Sequence, residues 1–275
     1  MSDISALLLW SLTLFLIGII FLPLTTFFFN RAIDKGYIFT KTIGIFLSSY
    51  IVWLLASLHI LPFERLTLLL VLVALALFNL RLVVSLKKRN MWEIPWKWIV
   101  GEEILFFLCL SFWSYVRATE PSIRGLEKFM DFGFVNSILR STFFPPLDMW
   151  LTKSPDYMGG HFINYYYFGH YITAFLTKLS GISSTITYNL MMATLFAFTF
   201  SLTFSLGANL VHFFSTFHKK ISPLNICLIG LLAAFIVTLG GNLHTVYLFT
   251  SGYPNEDPKP PWQLELGYHP ERYWY

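Results

Sequence analysis

Charge is scarce in this chain. Asp, Glu, Lys and Arg make up 12% of its 275 residues, against roughly 25% in soluble domains, and mean hydropathy is +0.61. That excludes an ordinary soluble fold. Cysteine is nearly missing too: Cys109 and Cys227 both fall inside apolar runs, so both are expected to be free and buried rather than bridged. No Gly-rich phosphate loop, His-Glu-x-x-His or Cys-x-x-Cys occurs, which removes the commoner soluble nucleotide, zinc and redox motifs. His212, His218 and His244 lack metal-ligand spacing, and there are no internal repeats. Residues 1–29 lack a basic n-region, and their apolar stretch is long enough to span and stay rather than be cleaved.

What is abundant is apolar length. A membrane helix needs about 20 apolar residues to cross about 30 Å of hydrocarbon. Residues 4–28, 42–61, 66–86, 98–116, 186–213 and 224–249 meet that requirement, and 165–179 is a shorter, wetter candidate. The expected fold is an all-α integral membrane protein of about seven transmembrane helices, with one long external loop, 117–161, carrying short amphipathic helices. The net charge of +4 reads as a topology signal and not as nucleic-acid affinity, because the basic residues sit in short connections. Arg31, Lys35 and Lys41 mark the first connection as cytoplasmic, and Arg81, Lys87, Lys88, Arg89 and Lys97 mark the third. The N-terminus and loop 117–161 then lie outside the plasma membrane. We expect 165–179 to cross back, which leaves the His218-Lys219-Lys220 turn outside. In the alternative it only dips into the interface, the turn is inside and the tail emerges outside. The tail, 251–275, is Pro-rich and aromatic, and it reads as running on into a longer protein.

Loops as long as 117–161 in a compact fold are usually functional or disordered, and this one is too rich in Phe, Trp, Tyr and Pro for a solvated linker. Residues 125–136 read as a short amphipathic helix on which Glu127 and Asp131, four apart, share a face. Two such carboxylates can act as a general base or bind a divalent cation, or simply form a solvated face beside Arg124 and Lys128. Phe144-Pro145-Pro146-Leu147-Asp148 is a rigid extended segment, in which Asp148 is either a fixed ligand or the cap of a turn. Asn164-Tyr165-Tyr166-Tyr167-Phe168-Gly169-His170 places tyrosines at a helix entrance. An interfacial belt explains some of them. Three in a row on a helix point about 100° apart, so one or two face the protein. Tyr166 and His170 are expected on one face, His170 serving as a structural histidine or as an acid or base. Glu102 is expected to cap the start of the fourth span at the interface, and Glu103 is left open.

These segments resemble the uncharacterised "YYY" multi-pass membrane-protein family found in Chloroflexi and archaea. The resemblance covers nearly the whole chain. It rests on Asp34-Lys35-Gly36-Tyr37, Tyr50-Ile51-Val52-Trp53, Glu127-Lys128-Phe129-Met130-Asp131-Phe132, Leu139-Arg140-Ser141, Phe144-Pro145-Pro146-Leu147-Asp148-Met149-Trp150 and Ile163-Asn164-Tyr165-Tyr166-Tyr167-Phe168-Gly169. Phe129 and Met149 stand where that family usually has proline. The family in turn is distantly similar to type-C glycosyltransferases, which take sugar from a polyprenyl-phosphate donor outside the membrane. That likeness implies a three-helix region at 1–97, a glycosyltransferase-C-like core at 98–250 and the tail at 251–275. It implies Asp131 as catalytic base or metal ligand with Glu127 assisting, and Arg140 binding the donor phosphate through its planar fork. Asp148, Asn164, Tyr165, Tyr166, Tyr167 and His170 would then bind substrate. The expected partners are the lipid bilayer and a polyprenyl-phosphate-linked sugar, with a divalent cation as a candidate cofactor. The competing class is a non-catalytic transporter or envelope scaffold. Against transport, the spans hold few ionisable residues and no repeated broken helices.

Overall fold

The computed structural model describes residues 2–125, 127–151, 153, 158–217 and 221–241. Among these residues eight α-helices follow one another: α1 (Asp3–Phe28), α2 (Thr40–Ser57), α3 (Arg65–Lys88), α4 (Trp96–Thr119), α5 (Lys128–Arg140), α6 (Phe168–Ser180), α7 (Ser184–Phe217) and α8 (Pro223–Leu239). A 3-10 turn, Tyr37–Phe39, leads into α2. Two of the helix starts, those of α1 and α8, follow capping chemistry. The Ser2 hydroxyl accepts the Ser5 N–H at α1, and Ser222 does the same for Asn225 at α8, with Pro223 in the first turn, where its missing N–H costs nothing.

Helix α1 shows how the bundle and the bilayer divide a span between them. Trp10, Leu14, Ile17 and Phe21 recur on one face and are buried, while Leu8, Leu12, Leu16 and Ile19 on the other face are exposed. A water-facing surface would not carry such a stripe of leucine and isoleucine; a lipid-facing one does. The same core cluster takes in Ile45 and Val52 of α2, Leu68 of α3, Phe106 and Leu110 of α4, Val135 and Ile138 of α5, Tyr171 and Phe175 of α6, and Leu190 and Ala193 of α7. Helix α1 packs on α2 and α3, α4 on α7, α7 on α8, and α5 on α6.

The expected count of about seven spans is met in part. Among the described residues five helices are long and apolar enough to cross a membrane: α1, the Tyr37–Ser57 segment, α3, α4 and α7. Helix α8 is a shorter apolar helix of 17 residues, and the rest of the expected span 224–249 lies outside the described residues. Helix α6 has 13 residues, about 20 Å at 1.5 Å per residue, too short for a hydrocarbon layer of about 30 Å. Gly181, left-handed at φ 74°, stops it, and α7 begins three residues later.

Helix α6 is instead wedged into one end of the bundle. The Tyr171 hydroxyl donates to the Ser49 carbonyl of α2 at 2.7 Å, and the Lys178 ammonium donates to the Phe63 carbonyl between α2 and α3 at 2.5 Å. At this first end Phe63 N–H donates to Thr142 O (2.7 Å), Arg117 of α4 to Asn189 of α7 (3.1 Å), and Ser184 to Asn136 (2.9 Å). Both ends of α6 therefore stay on the side where α4 finishes and α7 begins. That is the dipping pattern rather than the crossing one. The turn 218–220, whose side this pattern decides, and the tail 251–275 lie outside the described residues.

Candidate functional site

Helix α5 organises the first end. Asp131 lies in its first turn, where a helix N-terminus favours negative charge, and Phe134, Val135, Ser137 and Ile138 form its buried face. The helix starts later than the sequence suggests, at Lys128, after Gly125 turns the chain at φ 79°. The segment after it folds back onto it. Ser137 donates its hydroxyl to the Leu147 carbonyl, and Met149 fills the space beside Gly133, where a Cβ would sit 1.9 Å from its sulfur. Asp148 N–H donates to His161 O (2.7 Å) and Ile163 N–H to Pro146 O (3.0 Å), which pins residues 146–148 to the returning segment 161–163.

The first turn of α6 arrives beside the first turn of α5. His170 Nε2 lies 3.1 Å from Asp131 Oδ1, with the two side chains 18% and 34% exposed, so the pair is reachable from solvent. The other ring nitrogen of His170, Nδ1, is buried with no hydrogen-bond partner. Phe134 meets the His170 ring edge to face at 5.4 Å and lies tilted against Tyr165 at 5.9 Å. Tyr165 and Tyr166 lie with ring centroids 3.9 Å apart, and the Tyr165 hydroxyl donates to that of Tyr166 at 2.6 Å. That hydrogen bond, more than any other cause, pushes the Tyr165 phenol up to about 12, and the nearby Glu127 and Asp131 carboxylates add to it. Tyr188 of α7 packs edge-on against Phe132 at 5.7 Å. The result is a small acid–imidazole pair beside an exposed aromatic shelf.

The structure does not bring every expected residue to that pair. Arg140 follows Asp131 by nine residues, half a turn out of phase at 100° per residue and about 13 Å along the axis. It lines a separate cavity of about 530 Å³ with His59, Ser141, Thr142 and Asp148. Asp148 takes the turn-capping role, its Oδ1 accepting Trp150 N–H (2.7 Å) and Leu151 N–H (2.8 Å). Tyr167 turns inward: its hydroxyl accepts the Trp53 indole N–H at 3.1 Å. Asn164 and Glu127 are exposed. Tyr166 precedes the helix, whose N-cap is Tyr167, so Tyr166 and His170 do not share a helical face. Among the described residues no group of three or more His, Cys, Asp or Glu side chains is arranged to hold a metal ion. Among the described residues Asp131 therefore has no set of three protein ligands beside it for a divalent cation.

Sequence reasoning missed a second polar cluster at the opposite end of the bundle. Tyr37 donates to Glu103 Oε2 at 2.6 Å, Lys41 pairs with the same oxygen, and Asn209 of α7 donates to Asp34 at 3.2 Å. Glu102, expected as an interfacial cap, is instead 1% exposed. The N-cap of α4 is Pro95, which puts Glu102 seven residues into the helix and beyond reach of its first-turn N–H groups. The proline was the available signal for where α4 begins.

No curated protein and no solved structure matches the chain. Residues 47–275 match the model of the uncharacterized membrane protein family DUF2298, and the chain, an integral multi-pass membrane protein, belongs to that family.

Proposed function

We propose that the protein is a membrane glycosyltransferase-like enzyme that moves a sugar from a polyprenyl-phosphate donor on the external face of the plasma membrane. The observation that carries this reading is the solvent-reachable Asp131–His170 pair beside the Tyr165–Tyr166 shelf. A general base must lie within hydrogen-bond reach of the proton it takes and be held there by a partner. Asp131 is held on a rigid helix by His170. Its carboxylate accepts the proton of the acceptor hydroxyl as that oxygen forms its bond to the anomeric carbon. The bond from that carbon to the phosphate oxygen breaks, and the polyprenyl phosphate leaves with the electron pair. Tyr165 and Tyr166 stack against sugar faces and supply hydroxyls. Asn164 is placed to touch the sugar's outer edge, and Glu127 adds negative charge where the base needs it. Arg140, on the other face of α5, serves a more distant anionic group, and no step is routed through a metal ion.

Sidedness comes from charge. Arg31 and Lys35 lie at the second end, as do Lys87, Lys88 and Arg89, so the basic residues gather there and the positive-inside rule puts that end in the cytoplasm. Loop 117–161 and the Asp131 site then face outward, where a lipid-linked donor is presented.

The test uses membranes containing the full protein, a radiolabelled polyprenyl-phosphate hexose and a membrane extract as acceptor. Wild type is expected to transfer label, and Asp131→Asn to lose transfer by a factor on the order of 10²–10⁴. Undiminished transfer in Asp131→Asn would remove the catalytic claim. A wild type that transfers nothing favours the scaffold reading.

A further inference from the structure

The second polar cluster contains three carboxylates, and two of them are fully provided for. Asp34, with no exposed surface, accepts Gly36 N–H (3.2 Å) and Asn209 Nδ2 (3.2 Å) on Oδ1, and Ile38 N–H (3.1 Å) on Oδ2. Ser205 approaches Oδ2 at 3.5 Å. Glu103 takes Tyr37 and Lys41. Glu102 is not provided for in this way: both of its oxygens are buried without a hydrogen bond of good geometry, and the neighbours close enough to make one are the Ser205 hydroxyl and Asp34.

An ionised carboxylate buried without a donor is too costly to leave as it is; such groups gain a partner or neutralise. Here the cost is compounded. The groups that face Glu102 from the surrounding elements are Asp34 on the α1–α2 connection, Tyr37 on the 3-10 turn, Lys41 on α2 and Cys227 on α8, with Ser205 on α7 as a neutral neighbour. Only Lys41 is cationic, and it is committed to Glu103. Asp34 is a second acid, on which the Gly36 and Ile38 N–H groups and the Asn209 amide converge. Among the described residues no three His, Cys, Asp or Glu side chains converge to hold a metal. A proton needs only one acceptor, and Asp34 offers it.

We propose that Glu102 is a proton-binding site inside the membrane, holding one proton that it shares with Asp34. The proton comes from water at the second end; an O–H bond forms on Glu102, and the hydrogen bond runs to an Asp34 oxygen. Three separate elements meet at that proton. Glu102 belongs to α4, Asp34 to the α1–α2 connection, and Ser205 and Asn209 to α7, whose Asn209 also accepts Ile33 N–H at 2.9 Å. Release of the proton would set two carboxylates against each other at the joint and loosen all three.

Infrared difference spectroscopy on the purified full-length protein tests this. At neutral pH the wild type is expected to show the C=O stretch of a protonated carboxyl that moves in D2O. That band should vanish in Glu102→Gln and survive in Glu103→Gln. In Asp34→Asn the band should remain but shift in frequency, because its acceptor changes from a carboxylate to an amide. This second variant keeps the question open to refutation if Glu102→Gln fails to fold. A neutral-pH spectrum that Glu102→Gln leaves unchanged overturns the proposal. So does a band that disappears on adding Na⁺ at constant pH, which would make the occupant a metal ion.

Discussion

Asp131 is 34% exposed on its side chain, which meets His170 at 3.1 Å. Asparagine fills the same volume and can still meet the imidazole. Asp131→Asn is therefore expected to fold and insert normally, within about 0.5 kcal/mol of wild type, as surface substitutions do. A thermal melt in detergent separates that from the loss of transfer. Lys178 is the opposite kind of residue. Burial pushes its amine below the ordinary lysine value of 10.5, and the Glu64 carboxylate only partly opposes this. Between the lowered folded value and 10.5 the unfolded chain binds more protons than the folded one, so stability rises with pH across that window and levels off above it. Melting temperature measured from neutral pH to about 10.5 should climb more steeply in wild type than in Lys178→Met. Equal slopes would mean that the ammonium is well solvated where it meets Phe63.

At the scale of elements, the α7–α8 pair depends on small residues. A Cβ on Gly230 would sit 2.7 Å from the Phe204 carbonyl oxygen and 3.2 Å from Ala208, and one on Gly207 would meet Ala233 at 3.0 Å. In lipid, helices associate by close backbone approach at such positions. Gly230→Leu is expected to cost about 1–3 kcal/mol by overpacking, read as a lower melting temperature, whereas Leu228→Ala on the exposed face of α8 should change little. The long elements were legible in the sequence because span length is a composition signal. α1 to α4 and α7 fall within a few residues of the expected apolar runs, and the expected amphipathic helix, α5, within four. Helix α6 was not. Its apolar face suits a span, but Gly181 ends it after 13 residues, and only the packing of Tyr171 and Lys178 shows that it stays at one end. The candidate site was half legible. Glu127 and Asp131 share a face by helical period, and both stand near Tyr165. The Asp131–His170 contact joins residues 39 apart across two helices, and no periodicity fixes that. Arg140 went the other way for a reason that period does give, since nine residues is half a turn.

Across the whole molecule, the short α6 decides which surfaces share a side of the membrane. If it stays in the first end, the finish of α4 and the start of α7 face the same compartment, and α7 then carries the chain to the other side. If it crossed, they would face opposite compartments. Three single cysteines, placed in a protein with Cys109 and Cys227 replaced by alanine, separate the cases. Ser122 follows α4, Ser183 precedes α7 and Asn90 lies between α3 and α4; all three positions are exposed. An impermeant thiol reagent added to intact cells is expected to label Ser122→Cys and Ser183→Cys alike, and Asn90→Cys only after permeabilisation. Labelling of Ser122→Cys but not Ser183→Cys would mean that α6 crosses. Labelling of Asn90→Cys alone would invert the molecule. The Asp131 site would then sit in the cytoplasm, out of reach of an external lipid-linked donor, while the proton site at Glu102 would open toward the outside.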